Sequence, residues 1–192
     1  HTGLGRAVLA SSVADHVYEV MKSYSSLEID PKTGRRGSRL KHIKELLCLI
    51  TGAEGALVVN NNAAAVFLSL STLANKKEVI VSRGELVEIG GSFRMPEIMR
   101  LSGAILKEVG TTNKTRIEDY KEAISSETAL ILMVHPSNYR IVGFKEEVEL
   151  KELLTLSHSY NIPLMYDAGS GALVELDIFK KADEPIVTEN IK

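Results

Sequence analysis

The sequence predicts an α/β fold of three layers, a mostly parallel sheet with helices on both faces, preceded by a helical segment. Three observations lead to this fold class. Strand-like and helical segments alternate after residue 53, the strand-like segments are almost continuously apolar, and apolar residues before residue 53 recur at helical spacing. The length of 192 residues, 44% of them hydrophobic, is enough for one sizeable core.

Residues 1–52 form the predicted helical segment. Apolar spacing predicts one helix over about 8–24 and a second that begins near Leu40 and ends at Gly52. Six basic residues lie in the connecting loop and the start of the second helix: Lys32, Arg35, Arg36, Arg39, Lys41 and Lys44. The net charge of the whole chain is −2, which gives no electrostatic argument for binding nucleic acid or membrane. This cluster is the local exception, and a solvated face is the alternative.

Residues 53–192 form the predicted sheet domain. The strand candidates are 55–60, 78–82, 104–109, 128–135 and 162–168. The helix candidates between them are 62–74, 96–102, 116–124 and 147–160. Thr115 and Glu118 have the spacing of a capping box, which predicts the start of the third of these helices.

Three consecutive asparagines, Asn60, Asn61 and Asn62, separate the first strand candidate from an alanine-rich helix. Asparagine is favoured at a helix N-terminus because its side chain accepts a hydrogen bond from a free backbone amide. One asparagine would be enough for this purpose. Three of them, followed by small alanines, would also let a phosphate approach the amides at the end of a strand. A capped helix and a phosphate site remain alternatives from these residues alone.

Polar residues also follow the later strand candidates. Asp167 ends the last one and precedes "AGSG", where it either caps a turn or pairs with a cation such as a protonated pyridine nitrogen. His135 and Asn138 follow the preceding strand, and His135 is a candidate acid or base or a simple hydrogen-bonding neighbour. Arg83 and Glu85 lie in a polar connection after 78–82, which is either a functional loop or an exposed charged one.

Other kinds of site and location are not indicated. The 5 histidines have no metal-ligand spacing among themselves or with Cys48, so no metal is expected. A single cysteine excludes an internal disulfide and is typical of a reducing compartment, the cytoplasm. No apolar stretch has the length of a membrane span.

Six segments of the chain, taken in order, resemble the bacterial selenocysteine synthase family. They are "HTGLGRAVL", "TGRRGSRLKHIKELLCLITGAEGALVVNNNAAAV", "EVIVSRGELVEIGGSFRMPEIM", "GTTNKT", "VHPSNYRIVGF" and "YDAGSGAL". Members of that family are L-seryl-tRNA(Sec) selenium transferases that depend on pyridoxal phosphate and have the aminotransferase-like type I fold. The resemblance implies conversion of seryl-tRNA(Sec) to selenocysteinyl-tRNA(Sec) with selenophosphate, through a cofactor-bound aminoacrylyl intermediate. It also implies a cytoplasmic homo-oligomer of at least two chains, with neither a membrane nor DNA as partner.

The resemblance also implies roles for particular residues. Asp167 would pair with the pyridinium nitrogen of the cofactor, Asn138 would neighbour its ring hydroxyl, and His135 remains a catalytic candidate. The phosphate ligands would be Asn61, Asn62 and Ala63, and the contacts to selenophosphate or the tRNA end would be Arg35, Arg36 and Arg83.

The chain departs from the family at the lysine that forms the Schiff base with the cofactor. In the family this lysine follows a segment like "DEPIVTENIK", with which the chain ends, and Lys180, Lys181 and Lys192 do not match it. We therefore expect a fragment that lacks this lysine and the small C-terminal domain and is inactive by itself, from a parent that is an enzyme. A related lyase for a small amino acid or amino sugar, or a truncated non-catalytic paralogue, are the alternatives.

Overall fold

A computed structural model of the chain describes residues 8–89, 93–175 and 184–191. The chain divides into two compact units, His1–Leu49 with Ala53–Leu57 and Ile50–Gly52 with Val58–Lys192. In the described part of the chain, no helix combines the length and the apolar character that crossing a bilayer would need.

The first unit contains helix α1 (Ser11–Met21) and most of helix α2 (Lys41–Thr51). Both match predicted helices, although α1 is shorter than the expected span of 8–24. The loop between them folds back on itself, because Ile29 and Arg36 form an antiparallel bridge around Gly34, whose φ of 66° suits glycine. The basic cluster lies on this turn and on the start of α2.

The second unit contains a four-stranded sheet in which every neighbouring pair is parallel. Its strand order is β4-β1-β5-β6, and the strands are β1 (Glu78–Ser82), β4 (Ile105–Val109), β5 (Thr128–Val134) and β6 (Leu164–Asp167). A separate antiparallel pair consists of β2 (Glu88–Ile89) and β3 (Phe93–Arg94). The helices of this unit are α3 (Asn62–Leu73), α4 (Met95–Ser102), α5 (Ile117–Ala123) and α6 (Leu150–Tyr160).

The apolar core lies on both faces of this sheet. On one face, Val81 and Leu132 belong to a buried cluster with Leu70 of α3 and Met99 of α4, among others. On the other face, Ile131 belongs to a second cluster with side chains of α5 and α6. Strands covered on both faces need apolar residues at every position, which explains their continuous apolar sequences. The predicted α/β class with helices on both faces is confirmed.

The prediction of a strand over 55–60 is wrong. These residues have no strand structure, and Leu57 and Val58 keep 53% and 48% of their surface exposed. A strand is stabilised by hydrogen bonds to a neighbouring strand, and no segment in the described residues pairs with this one.

The predicted capping box at the start of α5 is displaced by one residue. The backbone amide of Arg116 donates to Asp119 Oδ2 at 2.7 Å, so Arg116 and Asp119 have the positions that the sequence suggested for Thr115 and Glu118. The Thr115 hydroxyl is buried and hydrogen-bonded to Ser82 Oγ at 2.7 Å. The Thr115 side chain, which local spacing predicted as the cap, thus makes a tertiary contact at the end of β1 instead.

The two-sided core predicts unequal effects of one chemical change. Shortening the fully buried Ile131 in Ile131→Val should lower the free energy of unfolding by about 0.5–1.5 kcal/mol, because a methylene is lost from a close-packed site. The matched change Ile105→Val, at a side chain that is 52% exposed on the edge strand β4, should cost clearly less. Urea denaturation of both variants measures the difference, and equal losses would contradict this packing.

Candidate active site

The parallel strands of the second unit end at one edge of the sheet, and helix α3 begins at the same edge. There Asn62 Nδ2 donates a hydrogen bond to Asp167 Oδ1 at 2.7 Å, across 105 residues of sequence. The asparagine run and the strand-end aspartate, each a separate functional candidate in the sequence, are therefore in direct contact.

The N-terminus of α3 has the geometry of an anion site. Asn61 is extended, with φ −164°, and its Oδ1 accepts from the amide of Ala64 at 2.9 Å, as an N-cap does. Within 8–89, 93–175 and 184–191, the backbone amides of Asn62 and Ala63 have no hydrogen-bond partner. Two free amides at a helix N-terminus can bind a phosphate.

Asp167 is buried, with 6% of its surface exposed. Its Oδ1 accepts from Asn62 and from the backbone amide of Gly169, the latter at 2.9 Å. Gly169 has a φ of 67°, and a Cβ there would lie 3.3 Å from that of Ser137. No partner for Asp167 Oδ2 is found in the part of the chain that the structure describes, so this oxygen can accept a hydrogen bond from a ligand.

His135 and Asn138 follow β5 at this edge. The backbone amide of His135 donates to the Asp167 carbonyl at 2.9 Å and extends the pairing of β5 with β6. Asn138 Nδ2 donates to the carbonyl of Glu88 at 2.9 Å. Both residues line a cavity of about 880 Å³. The structure therefore places Asn138 as a link between two strand-end loops, a contact that the sequence did not predict.

The three arginines proposed as anion ligands lie in different places. Arg83 Nε donates to Glu108 Oε2 at 3.0 Å, and its guanidinium also bonds the Gly110 carbonyl. An anion would therefore compete with Glu108 for this side chain. Arg35 and Arg36 belong to the first unit. They are exposed, and neither has an ion pair with another described residue.

Part of the basic cluster is neutralised within the first unit. Lys41 Nζ lies 3.1 Å from Asp30 Oδ2, and Arg39 pairs with Glu28. The backbone amide of Lys32 donates to Asp30, and this bond, with the Lys41 contact, lowers the pKa of Asp30. Among the described residues of the turn, the exposed side chains of Lys32, Arg35 and Arg36 have no ion pair and can meet an external anion.

Sequence reasoning left the role of Glu85 open, and the structure gives it a definite contact. Its Oε2 accepts from the backbone amide of Val134 at 2.7 Å. Burial raises the pKa of Glu85 to about 8. The available signal was an acidic residue three positions after an apolar strand, which is too common to single out.

The lysines considered for the Schiff base, Lys180, Lys181 and Lys192, lie outside the described residues.

Known proteins resemble this chain in sequence and in fold. All 192 residues match the family model described as "SelA: L-seryl-tRNA selenium transferase". The chain belongs to the L-seryl-tRNA selenium transferase family. Among curated relatives with that function in their names, it is 59% identical over 189 residues to the protein of Carboxydothermus hydrogenoformans and 57% identical over 186 residues to that of Aquifex aeolicus. These matches cover 98% and 96% of the chain and 41% of each relative.

The chain thus spans about two fifths of the length of these family members. Solved structures share the fold of this chain. D-Glucosaminate-6-phosphate ammonia-lyase matches with a TM-score of 0.68 and 21% identity over 87% of the chain and 46% of that protein. The Escherichia coli GDP-4-keto-6-deoxy-D-mannose-3-dehydratase, solved with hydrated pyridoxal phosphate, matches with a TM-score of 0.55 and 19% identity, over 84% of the chain and 39% of that protein.

Proposed function

We propose that the full-length protein converts L-seryl-tRNA(Sec) to L-selenocysteinyl-tRNA(Sec), with selenophosphate as selenium donor and pyridoxal phosphate as cofactor. The observation that carries the proposal is the contact of Asn62 with Asp167 at the strand edge, in a chain that matches the selenium transferase family throughout. The named relatives act on seryl-tRNA(Sec), and this substrate is carried over to the present protein as part of the proposal.

The residues present fit pyridoxal phosphate at two separate points. The free amides of Asn62 and Ala63, with the N-cap Asn61, would bind the phosphate. The free Oδ2 of Asp167 would accept a hydrogen bond from the protonated ring nitrogen. When bound, the cofactor supplies an electron sink for the carbon next to the substrate amine. Asn62 holds Asp167 in place, so the phosphate and ring contacts are built as one unit.

The remaining side chains would serve the substrates. Asn138 is proposed to lie beside the ring hydroxyl, and His135 to hold or move a proton at the substrate. Arg35, Arg36 and Arg83 would bind anionic groups of selenophosphate or of the tRNA acceptor end. The exposed guanidinium groups of Arg35 and Arg36 support this role, and Arg83 would first have to leave Glu108.

We also propose that the protein works in the cytoplasm as a homo-oligomer of at least two chains, with no membrane or DNA partner. The basic turn of the first unit would then serve RNA, since the overall net charge of −2 gives no general attraction to nucleic acids.

The decisive experiment supplies purified full-length protein with pyridoxal phosphate, seryl-tRNA(Sec) and selenophosphate. We expect selenocysteinyl-tRNA(Sec), detected after deacylation by mass spectrometry, and no product when either the cofactor or selenophosphate is omitted. Release of ammonia from a small amino sugar without any reaction of the tRNA would instead identify a lyase. Oligomerisation without cofactor binding would identify a non-catalytic paralogue.

Binding of the tRNA provides a further prediction. Filter binding of seryl-tRNA(Sec) to the full-length protein should weaken as salt concentration rises, because phosphate contacts release counterions. A plot of log affinity against log salt concentration has a negative slope. The double variant Arg35→Ala/Arg36→Ala should make this slope less negative by about 1–2. Lys151→Ala, an exposed lysine on α6 of the second unit, is the matched control. An unchanged slope in the double variant would remove these arginines from the proposed interface.

A further inference from the structure

Strand β5 extends beyond the carboxyl end of its neighbour β1. The backbone amide of Val134 in this extension therefore has no partner on β1. The last paired residues are Val81 of β1 and Leu132 of β5, and after Ser82 the chain turns away as a 3₁₀ turn. Strand β5 continues to Val134 and pairs there only with β6. The amides of Ile131 and His135 donate toward β6, so by strand alternation the amide of Val134 faces the side that β1 has left.

The side chain of Glu85 occupies that place. Its Oε2 accepts from the Val134 amide at 2.7 Å, where a carbonyl of a longer β1 would otherwise accept. A buried backbone amide without a partner costs about 1–3 kcal/mol. Glu85 thus completes the hydrogen-bond ladder with a side chain in place of backbone.

Two other hydrogen bonds join the same pair of loops. Asn138 Nδ2 donates to the Glu88 carbonyl at 2.9 Å, and the Tyr139 hydroxyl donates to the Gly84 carbonyl. Together with the bond between Glu85 and Val134, these contacts connect residues 84–88, which follow β1, to residues 134–139 at the end of β5 at three points. The next residue after Val134 is His135, whose amide donates to the Asp167 carbonyl. Glu85 is therefore two hydrogen bonds removed from the residue that would contact the cofactor ring.

The surroundings of Glu85 favour a neutral carboxylic acid. Burial raises the pKa of Glu85 to about 8, with a further increase from the charge of Glu147, while the Val134 amide acts in the opposite direction. Among the described residues, the tyrosines Tyr120, Tyr139 and Tyr166 also lie near Glu85, and their pKa values are raised by burial and by the charge of Glu85. At neutral pH, Glu85 can accept from Val134 without placing a bare charge among these rings.

We propose that Glu85 is a positioning residue of the cofactor site: by accepting the Val134 amide beyond the end of β1, it sets the His135 segment against Asp167. The inference rests on the proposed function, because it concerns the same cofactor site. It predicts that cofactor affinity and protection of the Val134 amide depend on an acceptor oxygen at residue 85 and do not depend on a negative charge there.

The test compares full-length wild-type protein with Glu85→Gln, which keeps an acceptor oxygen, and Glu85→Leu, which has the same bulk and no acceptor. Titration with pyridoxal phosphate, followed by absorbance, measures cofactor affinity at pH 7, and hydrogen exchange measures protection of the Val134 amide. We expect Glu85→Leu to raise the dissociation constant about tenfold, as for one lost hydrogen bond, and to speed exchange at Val134. Glu85→Gln should stay within about twofold of wild type in both measurements.

The outcomes separate the two levels of the proposal. Failure of the wild-type protein to bind pyridoxal phosphate would overturn the proposed function. Normal binding by wild type and by Glu85→Leu would overturn the positioning role alone. An equal loss of cofactor affinity in Glu85→Gln and Glu85→Leu would also overturn it, since an acceptor oxygen at residue 85 would then not be enough to maintain the site. Should Glu85→Leu not fold, Glu85→Gln decides: tenfold faster exchange at Val134 than in wild type overturns the proposal. The exposed Glu127→Gln is the matched control.

A pH series gives a second readout, because the folded chain holds the Glu85 proton to about pH 8 whereas the ordinary glutamate value is 4.5. Between these two pH values the unfolded state binds fewer protons than the folded state. The contribution of Glu85 to the free energy of unfolding therefore falls as pH rises, and it becomes constant above about pH 8. Glutamine does not titrate. The melting temperature of Glu85→Gln relative to wild type should therefore rise by about 5 °C from pH 5 to pH 9. A constant difference would mean that Glu85 is not held as the neutral acid.

Discussion

Replacing Asp167 by asparagine should lower the selenium transferase activity of the full-length protein about 100- to 5,000-fold, while the protein still folds. Asparagine keeps an oxygen that can accept from Asn62 and Gly169, the two donors to Asp167 Oδ1. It removes the negative charge that would face the protonated ring nitrogen of the cofactor. Breaking a buried ion pair by removing one partner costs about 3–5 kcal/mol, and each 1.36 kcal/mol is a factor of ten in rate.

The measurement is single-turnover formation of selenocysteinyl-tRNA(Sec), with circular dichroism to establish that Asp167→Asn is folded. Glu122→Gln removes a carboxylate charge from the exposed face of α5 and should leave the rate unchanged. A folded Asp167→Asn protein with more than a tenth of wild-type activity would show that this carboxylate does not face the reacting ring.

Replacing Asn62 by alanine should weaken binding of pyridoxal phosphate to the full-length protein about 10- to 100-fold. The Asn62 amide group donates at 2.7 Å to the buried carboxylate, and hydrogen bonds to charged groups contribute about 1.5–3 kcal/mol. Losing this donor leaves Asp167 Oδ1 with the Gly169 amide alone among the described donors. Alanine is also a good helix former, so α3 itself should remain intact.

Absorbance titration with the cofactor measures this effect, and Ser71→Ala on the same helix is the control. The Ser71 hydroxyl bonds the Leu68 carbonyl within α3, so its loss should not change cofactor affinity. If Asn62→Ala bound the cofactor within twofold of wild type, the Asn62–Asp167 contact would have no role in holding the ring partner.

Much of the sheet domain could be predicted because its signals are local. Strands β1, β5 and β6 are mostly apolar runs, and α3 begins at the predicted asparagine because capping depends on neighbouring residues alone. The segment 55–60 has the same apolar character and is not a strand in this structure. The prediction of this strand was wrong because a strand needs a distant segment to pair with, and the local sequence does not show whether that segment is there.

The site shows the same division between local and distant information. Asn61 as an N-cap and Asp167 at a strand end were predicted from their immediate neighbours, and the structure has both. Their roles toward the cofactor stay predictions until the variants are measured. The contact partners of Thr115, Asn138 and Glu85 could not be predicted, since each lies more than 30 residues away in sequence.

By itself, the sequence determined the α/β class, most of the helices and strands, and the family to which the chain belongs, because these depend on periodicity, capping and motif order. Only the tertiary structure decided that Asn62 donates to Asp167, and that Glu85 takes the place of a missing β1 carbonyl beside Val134. The reason is physical: a hydrogen bond between distant residues is fixed by strand order and by where neighbouring strands end, and neither is encoded locally.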